Sequence, residues 1–262
     1  MSFYEVSFEN RLYLNSSLFE DTAHGFSSKL GGVSHGKING LNFGFRVNDD
    51  EISVKENYRL LALDLGADLN KTVLSKQTHT DNIRIVTETD FGKGITRHSD
   101  IEDTDGLICN IPNTMLVVFA ADCVPVLLYD REKSVIGAVH AGWRGSVKGI
   151  CKKAVLLMNE TYGSNPSDIV AAIGPSIGPC CFEVQDDTAI FFEDKYKTEK
   201  PNGRFNIDLW EYNKDKLLEC GVLNQNIDLS RTCTMCNSDK FYSYRKHREN
   251  TGRQVAAIML RR

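Results

Sequence analysis

The segment from residue 114 to residue 140 constrains the fold most. Residues 114–120 and 124–130 are apolar runs of strand length, and residues 134–140 form a third after the turn at 131–133. Three core strands are thus packed into 27 residues. Directly afterwards Val147, Ile150, Cys151, Ala154, Val155 and Met158 recur at helical spacing, while Lys148, Lys152, Lys153 and Asn159 face the other way. That periodicity predicts a helix over 146–161. Upstream, Asn48 followed by Glu51 reads as a capping box, Val54, Tyr58, Leu61 and Leu65 share one face, and Gly66 ends the run, which predicts a helix over 51–65.

The remaining segments alternate in type. Short strands are expected at 71–77 and 82–87, on either side of Thr78-His79-Thr80-Asp81, and another at 168–173. The Gly/Pro-rich stretch 174–179 is turn chemistry leading into Cys180-Cys181. Helical stretches near 186–195 and 207–219 precede strands near 226–233, 240–245 and 253–260. Strands and helices interleave without a regular βαβ repeat, so the pattern favours a mixed α+β layered fold over a Rossmann or barrel type. No repeat, Pro- or Ser-rich linker or charge block divides the chain, and a single domain over 1–262 is expected.

Composition removes several classes of function. Apolar residues at 41% and charged residues at 25% suit a globular protein. A net charge of −4 would repel a phosphate backbone, so nucleic acid is not an expected partner. The start of the chain shows no signal-peptide pattern, and the most apolar stretch, residues 115–129, is broken by Asp122 and Pro125 and falls short of a membrane span of roughly 20 residues. A cytoplasmic protein without membrane association is expected. Its eight cysteines are then reduced thiols, available for packing, metal binding or catalysis.

Dinucleotide, P-loop, nucleophile-elbow, His-Glu-x-x-His and EF-hand signatures do not occur. Two segments can present side chains to a pocket: Ala121-Asp122-Cys123, in the break between two strands, and His140-Ala-Gly-Trp-Arg-Gly145, between a strand end and a helix start. A thiolate and two imidazoles suit zinc, and three ligands with one open position mark a catalytic site. Cys123, His140 and His79 are the candidates. Separations of 44 and 17 residues obey no short-range ligand rule, and the alternative is a buried cysteine with two structurally satisfied histidines.

The motifs resemble those of the laccase-domain family, called multicopper polyphenol oxidase-like and also described as purine nucleoside phosphorylases, with bacterial peptidoglycan editing factor-type members. The resemblance rests on Leu41-Asn42-Phe-Gly44, Glu56-Asn57-Tyr-Arg59, Lys76-Gln77-Thr-His79, Thr104-Asp105-Gly106, Ala121-Asp122-Cys123-Val-Pro125, Val139-His140-Ala-Gly-Trp-Arg-Gly145, Ile173-Gly174-Pro175 and Phe241-Tyr-Ser-Tyr-Arg245. Lys246 stands where a second arginine is usual, and Phe182 where tyrosine is common. The resemblance implies an α/β/β/α layered domain around a mixed two-sheet core. It also implies one zinc ion on His79, Cys123 and His140, which serve as the catalytic centre, with copper as the alternative metal. The implied reactions are phosphorolysis of adenosine, inosine and methylthioadenosine, and deamination of adenosine.

Zinc-activated water suits attack at C6 of adenine. Phosphorolysis needs a cationic phosphate site, for which Arg144, just before a helix, is the first choice and Arg46 the second; the alternative for either is a surface ion pair. Asp122 either accepts a proton or orients a ligand, or else caps local backbone. Trp143 either stacks on a base or packs to fix Arg144. Cys233-Thr-Met-Cys236 reads as packing, with redox chemistry as the alternative, and Cys180-Cys181, in a Gly/Pro turn, as packing, with metal binding or oxidation as the alternative. The sequence sets no oligomeric state. Rival readings are a metal-free hydrolase with Cys123 as nucleophile and His140 as base, a cell-wall precursor editing factor, and a copper laccase. Six histidines are too few for a full multicopper set.

Overall fold

The strands pair into two six-stranded mixed sheets and a small third one in the computed structural model, which describes residues 3–261. Met1, Ser2 and Arg262, the ends of the expected single domain, lie outside the described residues. The first sheet has the order β1 (Phe3–Phe8), β2 (Arg11–Ser16), β3 (Thr22–Ser27), β15 (Gln254–Leu260), β7 (Met115–Ala120) and β4 (Thr72–Val73). The second has the order β14 (Ile227–Leu229), β10 (Ile169–Ile173), β8 (Val124–Asp130), β9 (Val135–Ala141), β6 (Gly106–Cys109) and β5 (Ile83–Ile85). The third joins β11 (Glu183–Val184), β13 (Phe205–Ile207) and β12 (Lys197–Glu199).

Alternation along each strand builds four layers. Leu116 and Val118 of β7 pack with Phe26, Ala256 and Ile258 against Leu127, Tyr129, Ile136 and Ala138 of the second sheet, filling the space between the sheets. Met115 and Val117 point the opposite way, onto Val54, Tyr58, Leu61 and Leu65 of helix α1 (Glu51–Leu65). Val126, Leu128, Val135 and Val139 face outward onto helices α3 (Ile150–Tyr162) and α5 (Leu209–Glu219). Because helices cover the outer faces, β7, β8 and β9 are apolar on both sides, which is why they read as continuous runs. The result is the expected α/β/β/α arrangement. The chain's three apolar runs do not share one sheet, however: β8 and β9 form an antiparallel hairpin, while β7 belongs to the other layer.

Several expected boundaries move for local reasons. The cap of α1 is Asp50, whose carboxylate accepts the Ser53 N–H, rather than Asn48. The helix expected over 146–161 is two helices, α2 (Trp143–Val147) and α3, because Gly149 breaks the run at a left-handed φ of +76° with open space around it. The stretch near 186–195 contributes the single turn α4 (Asp186–Ala189) and a 3-10 turn at Asp194–Tyr196. Residues 240–245 are not a strand. The Gln254 side chain takes the place of a ladder there, accepting the Tyr242 N–H at 2.8 Å and donating to its carbonyl at 3.2 Å, and the chain then enters α6 (Tyr244–His247). No helix among the described residues is long and apolar enough to cross a membrane.

His24 on β3 is 4% exposed, and its Nε2 accepts the Ser16 N–H at 3.1 Å. Burial lowers its pKa from 6.5 to about 4, so the folded protein holds it neutral. The unfolded chain then binds the extra proton between those values, and the associated stability is present above pH 6.5 and lost as pH falls toward 4. Between pH 7 and pH 5 the loss is expected to be on the order of 2 kcal/mol. Urea unfolding at both pH values measures it, and the difference shrinks in His24→Gln, whose amide oxygen can still accept the Ser16 N–H.

Candidate metal centre

One crossing between the sheets and two strand registers bring the site together. After β7 the chain leaves the first sheet through Ala121-Asp122-Cys123 and enters the second as β8, with Asp122 at a left-handed φ of +87°. The Asp122 carboxylate accepts the Thr234 hydroxyl at 2.7 Å and the Arg245 N–H at 2.6 Å, so it caps backbone and anchors α6. In the hairpin register Pro125 faces His140, which sets the end of β9 beside Cys123. Gly106 of β6 faces Val139, so Asp105 lies opposite His140. The His140 N–H donates to the Asp105 carbonyl at 2.7 Å.

The Asp105 carboxylate is fully buried and gathers the centre. It accepts the backbone N–H groups of Thr78, His79 and Thr80 at 3.1, 3.0 and 2.8 Å, wrapping the loop between β4 and β5 around one anion. His79 occupies a left-handed φ of +65°, a strained position for a residue with a Cβ that these bonds stabilise. The same carboxylate meets His140 Nδ1 at 2.7 Å. With Nδ1 engaged, Nε2 is the His140 nitrogen left to face Cys123. Burial would raise the Asp105 carboxyl, but His140 and the N–H groups of Thr80 and Thr78 hold it below the usual carboxylate range.

His79, Cys123 and His140 present one nitrogen, one sulfur and one nitrogen within 4.8 Å of one another. The imidazoles cross edge to face, 5.1 Å between centroids. A Cβ on Gly142 would lie 2.8 Å from the His79 ring and 3.3 Å from the Cys123 sulfur, so the missing side chain leaves the three donors room to converge. Burial opposes ionisation of Cys123, yet the two histidines outweigh it and bring the thiol down to about 6. His140 moves in the opposite sense: burial would lower it, but Cys123 and Asp105 raise it to about 9.

The cluster opens into a cavity of about 1100 Å³ between the loop that carries Phe45 and Arg46, the end of β7, and α6. Arg46 lines it, together with Arg245, which closes one of the quoted motifs but was given no role, and Arg253, which the sequence did not single out. Arg253 is half-buried, and burial lowers its pKa from the usual value; its Nη1 donates to the Gly252 carbonyl at 2.9 Å. Trp143 also lines the cavity. Arg144 does not: it is exposed and stacks on the Trp143 ring at 4.3 Å. Successive helical residues point about 100° apart, so α2 turns Trp143 inward and Arg144 away.

A family model described as multi-copper polyphenol oxidoreductase laccase matches residues 23–261. The chain belongs to this family. The purine nucleoside phosphorylase YlmD of Bacillus subtilis is 37% identical over 89% of this chain and 87% of its own length. The adenosine deaminase RL5, from an unknown prokaryotic organism, is 33% identical over 89% of this chain and 92% of its own length. The crystal structure of Bacillus licheniformis YfiH, a hypothetical protein, superposes with a TM-score of 0.93 at 36% identity and covers 99% of both chains. This laccase-like fold therefore accounts for the whole layered arrangement.

Asp105→Asn removes the charge that orients His140 while keeping the side chain's size. With added zinc as the probe of the donor set, affinity measured by competition with a chelating dye is expected to fall by about 10- to 100-fold. Gly142→Ala should weaken zinc as well, by crowding His79. Wild-type affinity in Asp105→Asn would mean that the carboxylate does not orient the donor set.

Proposed function

We propose that the chain is a zinc-dependent enzyme of purine nucleosides, with His79, Cys123 and His140 holding the metal. The observation that carries this reading is the donor set itself: two imidazoles and a readily ionised thiol, one imidazole keyed by a buried carboxylate, opening on a cavity large enough for a nucleoside. Three ligands leave a coordination position for water or substrate, as catalytic zinc requires. Bound there, zinc supplies Lewis-acid polarisation and a water whose pKa is lowered to about 7. The names of the Bacillus subtilis and RL5 relatives support purine nucleosides as the substrate class.

The chain's own groups divide the remaining work. Phe45 and Trp143 offer aromatic faces for a base. Arg46 and Arg253 offer guanidinium donors for a phosphate that attacks C1′ of the ribose, and the departing purine takes up a proton. Phosphorolysis of adenosine, inosine or methylthioadenosine then gives the free base and ribose 1-phosphate or its methylthio counterpart. Without phosphate, water displaces the C6 amino group of adenosine, giving inosine and ammonia. Arg144, directed away from the cavity, serves to hold Trp143.

A second reading uses Cys123 as nucleophile and His140 as base, without metal. The paired shifts of Cys123 to about 6 and His140 to about 9 favour it. His79 argues for the metal, since a cysteine–histidine pair has no need of a third donor. Stoichiometric zinc in the wild type that is lost in Cys123→Ser supports the metal reading, and full activity in protein stripped of zinc supports the other.

Incubation of the zinc-loaded protein with adenosine tests the function. Adenine and ribose 1-phosphate are expected with phosphate, and inosine without it; neither product would overturn the proposal. Arg253→Met is expected to raise the KM for phosphate by about tenfold or more, the loss of a hydrogen bond to a charged group. Arg144→Ala should leave it within about twofold, as for an exposed residue outside the cavity. The reverse ranking would restore Arg144 as the phosphate ligand.

A further inference from the structure

Cys180-Cys181 and Cys233-Thr-Met-Cys236, for which the sequence favours packing over metal binding or redox chemistry, come together in the structure. Their four sulfur atoms lie within 4.8 Å of one another. Cys236 Sγ is 3.6 Å from that of Cys180 and 3.5 Å from that of Cys181. A disulfide needs about 2.05 Å. A tetrahedron with metal–sulfur bonds of about 2.3 Å places its sulfurs about 3.8 Å apart, which is the spacing the cluster approaches.

The backbone around the cluster is built rather than fortuitous. The two segments run side by side through a parallel bridge between Ser176 and Cys233, closed by the Ser176 N–H to Thr232 carbonyl bond at 3.2 Å and the Thr234 N–H to Ser176 carbonyl bond at 3.0 Å. The Gly178 N–H donates to Cys233 Sγ at 3.3 Å, a contact that stabilises negative charge on sulfur. Gly178 is required there, since a Cβ would lie 2.6 Å from the Trp210 ring. Cys233 is buried, Cys181 half-buried, and Cys180 and Cys236 are exposed, which gives an ion a path in.

We propose that Cys180, Cys181, Cys233 and Cys236 form a second metal site, a closed four-sulfur site for zinc, separate from the His79, Cys123 and His140 centre. Four thiols lose four protons as one dication binds, and no oxidant or reductant is involved. Four protein ligands leave no open position, so the ion is structural. It cross-links the loop after β10 to the segment after β14, and both segments support the cavity. Ile177 and Phe182 line the wall, Arg245 Nη1 donates to the carbonyls of Cys181 and Glu183 at 3.3 and 2.8 Å, and Thr234 holds Asp122. Vicinal Cys180 and Cys181 supply one edge of the tetrahedron and the Cys-x-x-Cys turn the other.

Metal analysis of protein purified under reducing conditions tests the site independently of any nucleoside activity. The wild type is expected to carry two zinc ions per chain, Cys123→Ser one, and Cys180→Ser/Cys236→Ser one. The last pair lies at the surface, which keeps folding intact, and circular dichroism checks this. In the Cys123→Ser background, cobalt substitution should give sulfur-to-metal charge-transfer absorbance that disappears when Cys180 and Cys236 are also replaced. Unchanged zinc in Cys180→Ser/Cys236→Ser would overturn the proposal. So would a wild-type mass, after alkylation under denaturing conditions, that shows a disulfide among these four residues.

Discussion

A single buried carboxylate sets the geometry on which the site depends. Asp105 accepts three consecutive backbone N–H groups from the loop carrying His79 and a ring N–H from His140. Hydrogen bonds to a charged group contribute about 1.5–3 kcal/mol each. Four donors converging on one residue therefore outweigh the order of 1–3 kcal/mol that a left-handed His79 costs. The same interaction fixes which nitrogen His140 presents. The backbone conformation of His79 and the orientation and tautomer of His140 thus trace to one side chain, fixed in turn by the pairing of β6 with β9.

The third donor of the cluster arrives by a different route. Cys123 begins β8 immediately after the chain has crossed from the first sheet, and the crossing needs the left-handed turn at Asp122. The Asp122 carboxylate stabilises that turn from outside, through Thr234 and the start of α6. α6 in turn carries Arg245 into the cavity wall. The site lies where both sheets end, so the packing between the layers, built on Leu116, Val118, Leu127 and Ile136, determines how far Cys123 stands from the loop of His79.

Legibility in the sequence followed the range of the interactions involved. Helix α1 was readable to its ends because its apolar period and Gly66 are local features; only its cap was misplaced, by two residues. Strands β2 and β3 were not singled out, since their polar residues are buried against partners elsewhere in the chain, and β1 is an edge strand with no fully buried residue. Arg11 pairs with Asp64 at 2.7 Å, Ser16 donates to Asp228 at 2.7 Å, and His24 accepts from Ser16, so the segment lacks the apolar run of a core strand. The metal candidates were suggested by residue type and by family motifs, not by spacing. Asp105 stood in a quoted motif, but its role rests on a contact 35 residues away. The two cysteine pairs, 55 and 56 residues apart at their contacts, gave no local sign that they would meet.

The donor inventory also decides how the family's oxidoreductase description bears on this chain. A multicopper centre draws on many imidazoles. Of the six histidines here, two, His79 and His140, join Cys123, His24 is buried and committed to Ser16, and His98 lines the cavity without joining a ligand group. The other grouped ligands among the described residues are four cysteines. The two groups differ as donor sets: two imidazoles and a thiol are ligand types that zinc and copper both accept and leave room for a further ligand, whereas four sulfurs make a closed tetrahedral set. The first arrangement can exchange a ligand for substrate, whereas the second can only hold its loops together. Of the two groups, the three-donor one opens on the cavity, and the sulfur cluster meets that cavity only through the wall segments around Ile177 and Phe182.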